Sequence, residues 1–114
     1  MKNKRAVGSR YEEKAAAFLK GLGYTILERN FRDRRGEIDI VARDGRYLVF
    51  VEVKYRGSGR CGYPEEAVDR GKQQRIRHTA QYYLYRHHCG ENTACRFDVV
   101  SVEGEEIRVM KDAF

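Results

Sequence analysis

The sequence predicts an α/β protein, a mixed five-stranded sheet flanked by helices in the order αβββαββ. Three observations carry that expectation. Residues 6–22 set Tyr11, Ala15, Phe18, Leu19 and Leu22 at helical spacing. Residues 36–56, GEIDIVARDGRYLVFVEVKYR, hold two apolar runs of strand length joined by Asp44-Gly45, a strong short-range hairpin signal. A second helical stripe separates this hairpin from another, so the third strand reaches the fourth through a helical crossover.

In chain order, the first helix keeps Arg10, Glu13, Lys14 and Lys20 off its apolar stripe, and Gly23 closes it as a left-handed cap. Glu12 borders the stripe, where it either points toward the sheet or stands in solvent. Residues 24–32, YTILERNFR, read as a strand whose core candidates are Tyr24, Ile26 and Phe31. A polar, basic turn over residues 33–35 follows. It leaves Arg32, Arg34 and Arg35 beside the acidic strand, either to neutralise Glu37 or to hold a phosphate.

With Asp44-Gly45 as a two-residue turn, Arg43 faces Arg46, Ile40 faces Val49, Asp39 faces Phe50 and Glu37 faces Glu52. Alternation sends Glu37, Asp39, Glu52 and Lys54 to one face. Ile38, Ile40, Ala42, Tyr47, Val49, Val51 and Val53 go to the other, a core face. Asp39 is then diagonal to Glu52, about 7 Å away by ordinary sheet geometry. Carboxylates that close repel, and the repulsion is relieved by protonation, by a basic partner, or by a divalent cation that prefers hard oxygen ligands. Glu52-x-Lys54 supplies a ligand and a fixed cation side by side, the pattern a metal-dependent phosphodiesterase needs. The competing reading is a solvated face balanced by Arg29, Arg32, Arg34, Arg35 or Arg46. Leu48 and Phe50 share the acids' face, and large apolar groups beside carboxylates favour a partly buried cleft.

Beyond Lys54, RGSGRCGYPE reads as a glycine-rich loop able to close over a ligand or simply to turn. Pro64 suits the first turn of a short helical segment through Glu65, Glu66, Ala67 and Val68. Asp69 caps a longer helix from Arg70 to about His88, with Ile76, Ala80, Tyr83, Leu84 and His87 as its stripe. Lys72, Gln73, Arg75 and Arg77 lie on its opposite side, turned to a phosphate or to solvent. Of Tyr82, Tyr83 and Tyr85, at least one must be core, which leaves the others for stacking on bases. His87, His88, Cys89 and Cys95 match none of the paired zinc spacings, and a helix end followed by a strand accounts for them. The remainder forms a second hairpin: Cys95, Phe97, Val99 and Ser101 alternate, the chain turns at Glu103-Gly104, and Ile107 and Met110 return. Asp98 falls on the side of Val100 and Val102.

A single domain over residues 1–114 is expected, long enough to bury roughly two-thirds of its unfolded surface without staples. Hydrophobic residues at 41%, charged ones at 35% and a single proline favour a folded globular chain over a disordered one. The basic start MKNKRAVGSR lacks the apolar run of a signal peptide, and no stretch approaches membrane-spanning length, so a cytoplasmic protein with no membrane partner is expected. Cys61, Cys89 and Cys95 cannot all pair within the chain, which favours reduced thiols. The net charge of +6, with 23 Lys and Arg spread along the chain, favours a polyanionic partner, nucleic acid before a membrane surface. Arg34, Arg35, Arg56, Lys72, Gln73 and Arg75 are the candidate contacts to it.

Gly8 and Glu12 followed by Ala15, the GY and RNF of residues 23–31, GEIDIVARDG, LVFVEVKYR, YPEEAV with Lys72, AQYYL, RFDVV and the closing DAF cover nearly the whole chain. Together they resemble the YraN-like family of small bacterial proteins. That family is similar to the PD-(D/E)xK nuclease superfamily, restriction endonuclease-like in fold, and to archaeal Holliday junction resolvases. The resemblance implies Asp39, Glu52 and Lys54 as catalytic residues. It implies Asp39, Glu52, the Val53 carbonyl and Glu12 as ligands of one or two magnesium or manganese ions. Such ions polarise the scissile phosphate and acidify the attacking water, while Lys54 orients that water and stabilises developing charge. Resolvase-like relatives further imply a homodimer. Tyr11 and Tyr55 depart from the family pattern by adding bulk where smaller residues are usual.

Three functions follow. The first is a metal-dependent endonuclease acting on structured or branched DNA, such as junctions or flaps. The second is an inert nucleic-acid-binding module of the same fold, with salt-dependent binding and no cleavage. The third is a protein-interaction scaffold whose acids are purely electrostatic.

Overall fold

The structure, a computed structural model, describes residues 4–56 and 68–114, with side chains for residues 8–55 and 68–114. The glycine-rich loop, Cys61, the segment expected through Glu65, Glu66 and Ala67, and the side chain of Arg56 lie outside the described residues. The elements follow the expected order: α1 (Lys4–Gly21), β1 (Thr25–Arg32), β2 (Glu37–Asp44), β3 (Tyr47–Arg56), α2 (Arg70–Arg86), β4 (Cys95–Glu103) and β5 (Glu106–Met110). The sheet runs β1-β2-β3-β4-β5 and is antiparallel except at β3 and β4, which run parallel across α2.

Local chemistry sets the helix ends. The Tyr24 and Gly23 amides donate to the Leu19 and Lys20 carbonyls, both at 3.0 Å, and Gly23 has φ 99°, a Schellman closure of α1. Leu22, expected in the core, is 51% exposed because this reversal carries it off the stripe. The Asp69 carboxylate caps α2 by accepting the Lys72 amide at 2.8 Å.

Each helix covers one face of the sheet. Ala15 and Leu19 of α1 pack on Ile40, Ala42, Val49, Val51, Val53, Val100 and Val102. Ile76, Ala80 and Tyr83 of α2 pack on Val41, Leu48, Phe50 and Val99. His87, expected on that stripe, is exposed and stacks its ring on Tyr83 at 4.1 Å, whereas Thr79 is fully buried. No helix among the described residues is long and apolar enough to cross a membrane.

Both hairpins turn one residue later than expected. Asp44 pairs with Tyr47 and Glu103 with Glu106, so the central residues are Gly45-Arg46 and Gly104-Glu105. The glycines have φ of 60° and 58° while Arg46 and Glu105 stay out of the left-handed region, the glycine-first arrangement of a type II′ turn. The register of β2 on β3 therefore moves by two: Ala42 faces Val49, Ile40 faces Val51, and Arg43 faces Leu48 rather than Arg46. A shift of two preserves the faces, since side chains alternate with that period. It also sets Asp39 at the level of Glu52 instead of Phe50.

Asp98 falls on the side of Val100 and Val102, as expected, and is fully buried. Its carboxylate accepts the Tyr24 hydroxyl at 2.7 Å, Arg96 Nε and Nη2 at 2.9 Å each, and the Asp112 amide at 3.0 Å. Arg96 Nη2 also reaches Asp44 Oδ2 at 2.7 Å, and Lys111 Nζ stands 3.4 Å from the same oxygen. Burial and then the Asp98 carboxylate push the Tyr24 hydroxyl well above its ordinary range. The Arg96 hydrogen bond holds Asp44 low. Removing one charge from such a set leaves the other uncompensated. Asp98→Asn is expected to cost about 3 kcal/mol, read as a lower denaturant midpoint. Tyr24→Phe is expected to cost about 1 kcal/mol.

Candidate functional site

The site begins at a break in the sheet. In the β1–β2 register Asn30 falls opposite Asp39, and regular alternation fails there. Phe31 and Ile38 pack on the α2 side, whereas Ile40 packs on the α1 side, so Ile38 leaves the face on which alternation alone places it. Asn30 has φ 56°, a left-handed conformation that asparagine adopts more readily than most side chains. With its amide oriented to satisfy both neighbours, Asn30 donates to Glu12 Oε1 at 2.8 Å and to Glu37 Oε1 at 2.9 Å. One kinked residue thus ties α1 to the start of β2.

At the same point Asp39 turns toward β3, and its Oδ2 accepts the Val53 amide at 2.8 Å. Glu52 is 5% exposed, with Lys72 Nζ 2.5 Å and Lys54 Nζ 3.9 Å from its Oε1. Glu12, Asp39, Glu52, Lys54 and Lys72 line a single pocket of about 350 Å³. The ring of Tyr55 forms part of its wall and stacks on Tyr11, centroids 4.3 Å apart and planes within 7°.

Electrostatics separates the groups. Burial, and then the charge of Glu52, raise Asp39 to about 8. Burial and Glu37 raise Glu12, against the pull of Arg29. Burial and the neighbouring Lys72 ammonium lower Lys54. Burial also opposes the charge on Lys72, but its contact with Glu52 outweighs burial and the net shift is upward. Among the described residues, Glu52 thus has two ammonium groups nearby, whereas Asp39 has an amide donor from Val53.

The structure brings together Glu12, Asp39, Glu52, Val53 and Lys54, and adds Lys72, whose sequence position equally allowed a place in solvent. The signal for Lys72 was its place three residues after the capping Asp69, which fixes the first turn of α2 beside the end of β3. Asn30 was missed, since only its side-chain bridge and backbone angle mark it. Of the two options for Glu37, neutralisation is taken up: Arg32 Nε lies 3.5 Å from its Oε2. Arg34, Arg35 and Arg75 are exposed and do not line the acidic pocket, and Gln73 Nε2 donates to the Val68 carbonyl at 2.9 Å. Tyr83 is core, while Tyr82 and Tyr85 are exposed. His87 lies 3.7 Å from Glu28, and Cys89 and Cys95 are unpaired thiols.

Among the described residues no three carboxylate, imidazole or thiol groups stand together as a metal-binding cluster. The candidate donors in the pocket are the Asp39 and Glu52 carboxylates, with the Val53 carbonyl and Glu12 as the resemblance implies. That set fits magnesium, which is commonly held by one or two carboxylates with water completing its shell. A recessed Asp39 that makes no ion pair with any described residue supports the fit.

Asp39 also makes the metal-free stability depend on pH. Its folded value lies above the unfolded one, so its contribution is complete below about 4 and is lost as pH rises through about 8. Asp39→Asn keeps an acceptor for the Val53 amide and removes the charge. In metal-free buffer the variant is expected to be more stable than the native chain by about 2 kcal/mol at pH 8, with the two converging near pH 4. Melting curves across that range check this.

Residues 11–102 match the sequence profile of the uncharacterised protein family UPF0102. The chain is similar to a UPF0102 protein of Lachnoclostridium phytofermentans, 55% identical over 112 residues that cover 98% of this chain and 95% of the relative. A UPF0102 protein of Caldicellulosiruptor saccharolyticus is 47% identical over 118 residues, 98% of this chain and 99% of that one. The UPF0102 protein YraN of Escherichia coli is 41% identical over 111 residues, 96% of this chain and 85% of the relative. The chain accordingly belongs to the UPF0102 family, the YraN-like family that its motifs resemble.

Proposed function

We propose that this protein is a metal-dependent endonuclease hydrolysing phosphodiester bonds in structured or branched DNA. The observation that carries the reading is the convergence of Asp39 and Glu52 with Lys54 in one recessed pocket of a chain whose net charge is +6. Asp39, Glu52 and the Val53 carbonyl are the groups that would hold magnesium or manganese. The bound ion supplies a Lewis acid for the phosphate and an acidified water.

The chain's own residues do the rest. Lys54, beside Glu52 and partly buried, would orient the attacking water and stabilise the charge that develops. Glu12, raised by burial and held by Asn30, borders the same space as a further oxygen donor or proton carrier. Tyr55, stacked on Tyr11, borders one side of the pocket. A cytoplasmic setting matches the thiols, and a dimer would present two such pockets to one branched substrate.

A specific contact favours a second reading. Lys72 already neutralises Glu52, as it would in a module that binds nucleic acid without cutting it. Two measurements separate the readings. Manganese at ~100 times its dissociation constant is expected to stabilise the native chain by about 2.7 kcal/mol, and Asp39→Ala to lose that gain. On junction and flap DNA with magnesium or manganese, cleavage is expected to fall at least about a hundredfold in Asp39→Asn and Lys54→Met. Native protein that leaves every branched and single-stranded substrate intact at all metal concentrations overturns the endonuclease and leaves the binding module.

A further inference from the structure

We infer that the arginine-rich turn between β1 and β2, with the middle of α2, forms a second binding site, which takes an unpaired nucleotide of the nucleic-acid strand. Its phosphate lies against Arg34, Arg35 and Arg86, and its base against the ring of Tyr82. The inference rests on the reading of the acidic pocket as a nucleic-acid site and names the form of strand that reaches it.

A pocket of about 390 Å³ opens between Arg34, Arg35, His78, Tyr82 and Arg86, with Asp33 and Arg32 at its border. That size suits a nucleotide. The single carboxylate is already engaged: Asp33 Oδ1 accepts the Arg35 amide at 2.9 Å, the Gly36 amide at 3.0 Å and the Thr79 hydroxyl at 2.8 Å. Burial works against its charge, but these bonds outweigh burial and hold Asp33 below the usual carboxylate range. Arg32 is taken by Glu37. Arg34, Arg35 and Arg86 make no ion pair with any described residue. Three guanidinium groups therefore face solvent around a cavity whose acid is spent, the composition that draws a phosphodiester.

The arginines stand on a fixed base. The Thr79 hydroxyl pins the turn to α2, and a Cβ on Gly36 would meet Thr79 Oγ1 at 3.3 Å, so the turn lies flush on the helix. A site already in its bound shape loses little entropy on binding. Tyr82, 36% exposed, has Arg86 Nη1 at 3.4 Å from its hydroxyl and the same guanidinium 5.9 Å from its ring centroid. An aromatic ring framed by arginines stacks a base once that base has left a duplex. Glu37 joins the two sites: Oε2 meets Arg32 on this side, and Oε1 leads through Asn30 to Glu12 on the acidic side.

Fluorescence anisotropy on the full chain tests this, with a labelled oligothymidine strand, a blunt duplex of equal length and a salt series. Arg34→Ala with Arg35→Ala, both at exposed positions, is expected to weaken single-strand binding about tenfold or more and to lower the salt slope by about 1. Tyr82→Leu is expected to weaken the single strand about tenfold while changing the duplex less than about twofold, and Tyr82→Phe to bind like the native chain. Native affinity and slope in both the arginine and leucine variants overturn the site. Equal weakening of strand and duplex by Tyr82→Leu overturns recognition of an unpaired base. A native chain that binds neither probe removes the nucleic-acid reading itself. Binding without cleavage supports this site and counts against the endonuclease alone.

Discussion

Two carboxylates in the same recess repel each other and stay together only where the surrounding chain holds them there, and three separate features do so here. The glycine-first turn at Gly45 sets the register that puts Asp39 level with Glu52. The left-handed Asn30 breaks the alternation at Asp39 and frees its side chain to reach the Val53 amide. The capped start of α2 delivers Lys72 to Glu52, which holds that acid in place, while among the described residues Asp39 is held by the Val53 amide alone. Loss of any one relaxes the crowding that gives the pocket its chemistry.

The fold treats Asp98 and Asp39 differently. Asp98 is saturated, with a hydroxyl, a guanidinium fork and an amide closing around it, and it knits β4 to the chain before β1 and after β5. Buried polar sets of that kind rigidify when every member is satisfied. Asp39 accepts one amide and faces other acids. Asp39, with fewer partners among the described residues, is mounted on a sheet stiffened by the satisfied Asp98.

The architecture was legible because local signals agreed with it: apolar spacing marked both helices, Asp69 and Gly23 their ends, and the glycines the two hairpins. The register was not, because Gly45 can close the turn with Asp44 before it or with Arg46 after it, and the sign of φ at Asp44, positive only in the Asp-Gly turn, decides for the second. The acids were still assigned to a shared cleft, since an error of two positions leaves the faces unchanged. Ile38, Leu22 and His87 were misplaced where the chain kinks or a helix ends, points at which a periodic pattern carries no information. Asn30 and the partners of Asp98 bridge segments far apart in sequence, so spacing alone could not pair them.

The parallel pairing of β3 with β4 also bears on how the chain assembles. The β2–β3 and β4–β5 hairpins are local and can close on a microsecond scale. The strand bearing Glu52 and Lys54 joins β4 only after α2 has been laid across the sheet. Loop-closure entropy slows such non-local contacts. Lys72 arrives with that same crossover, so Glu52 meets its ammonium partner late, and the nascent chain carries its acids on an open ribbon until then.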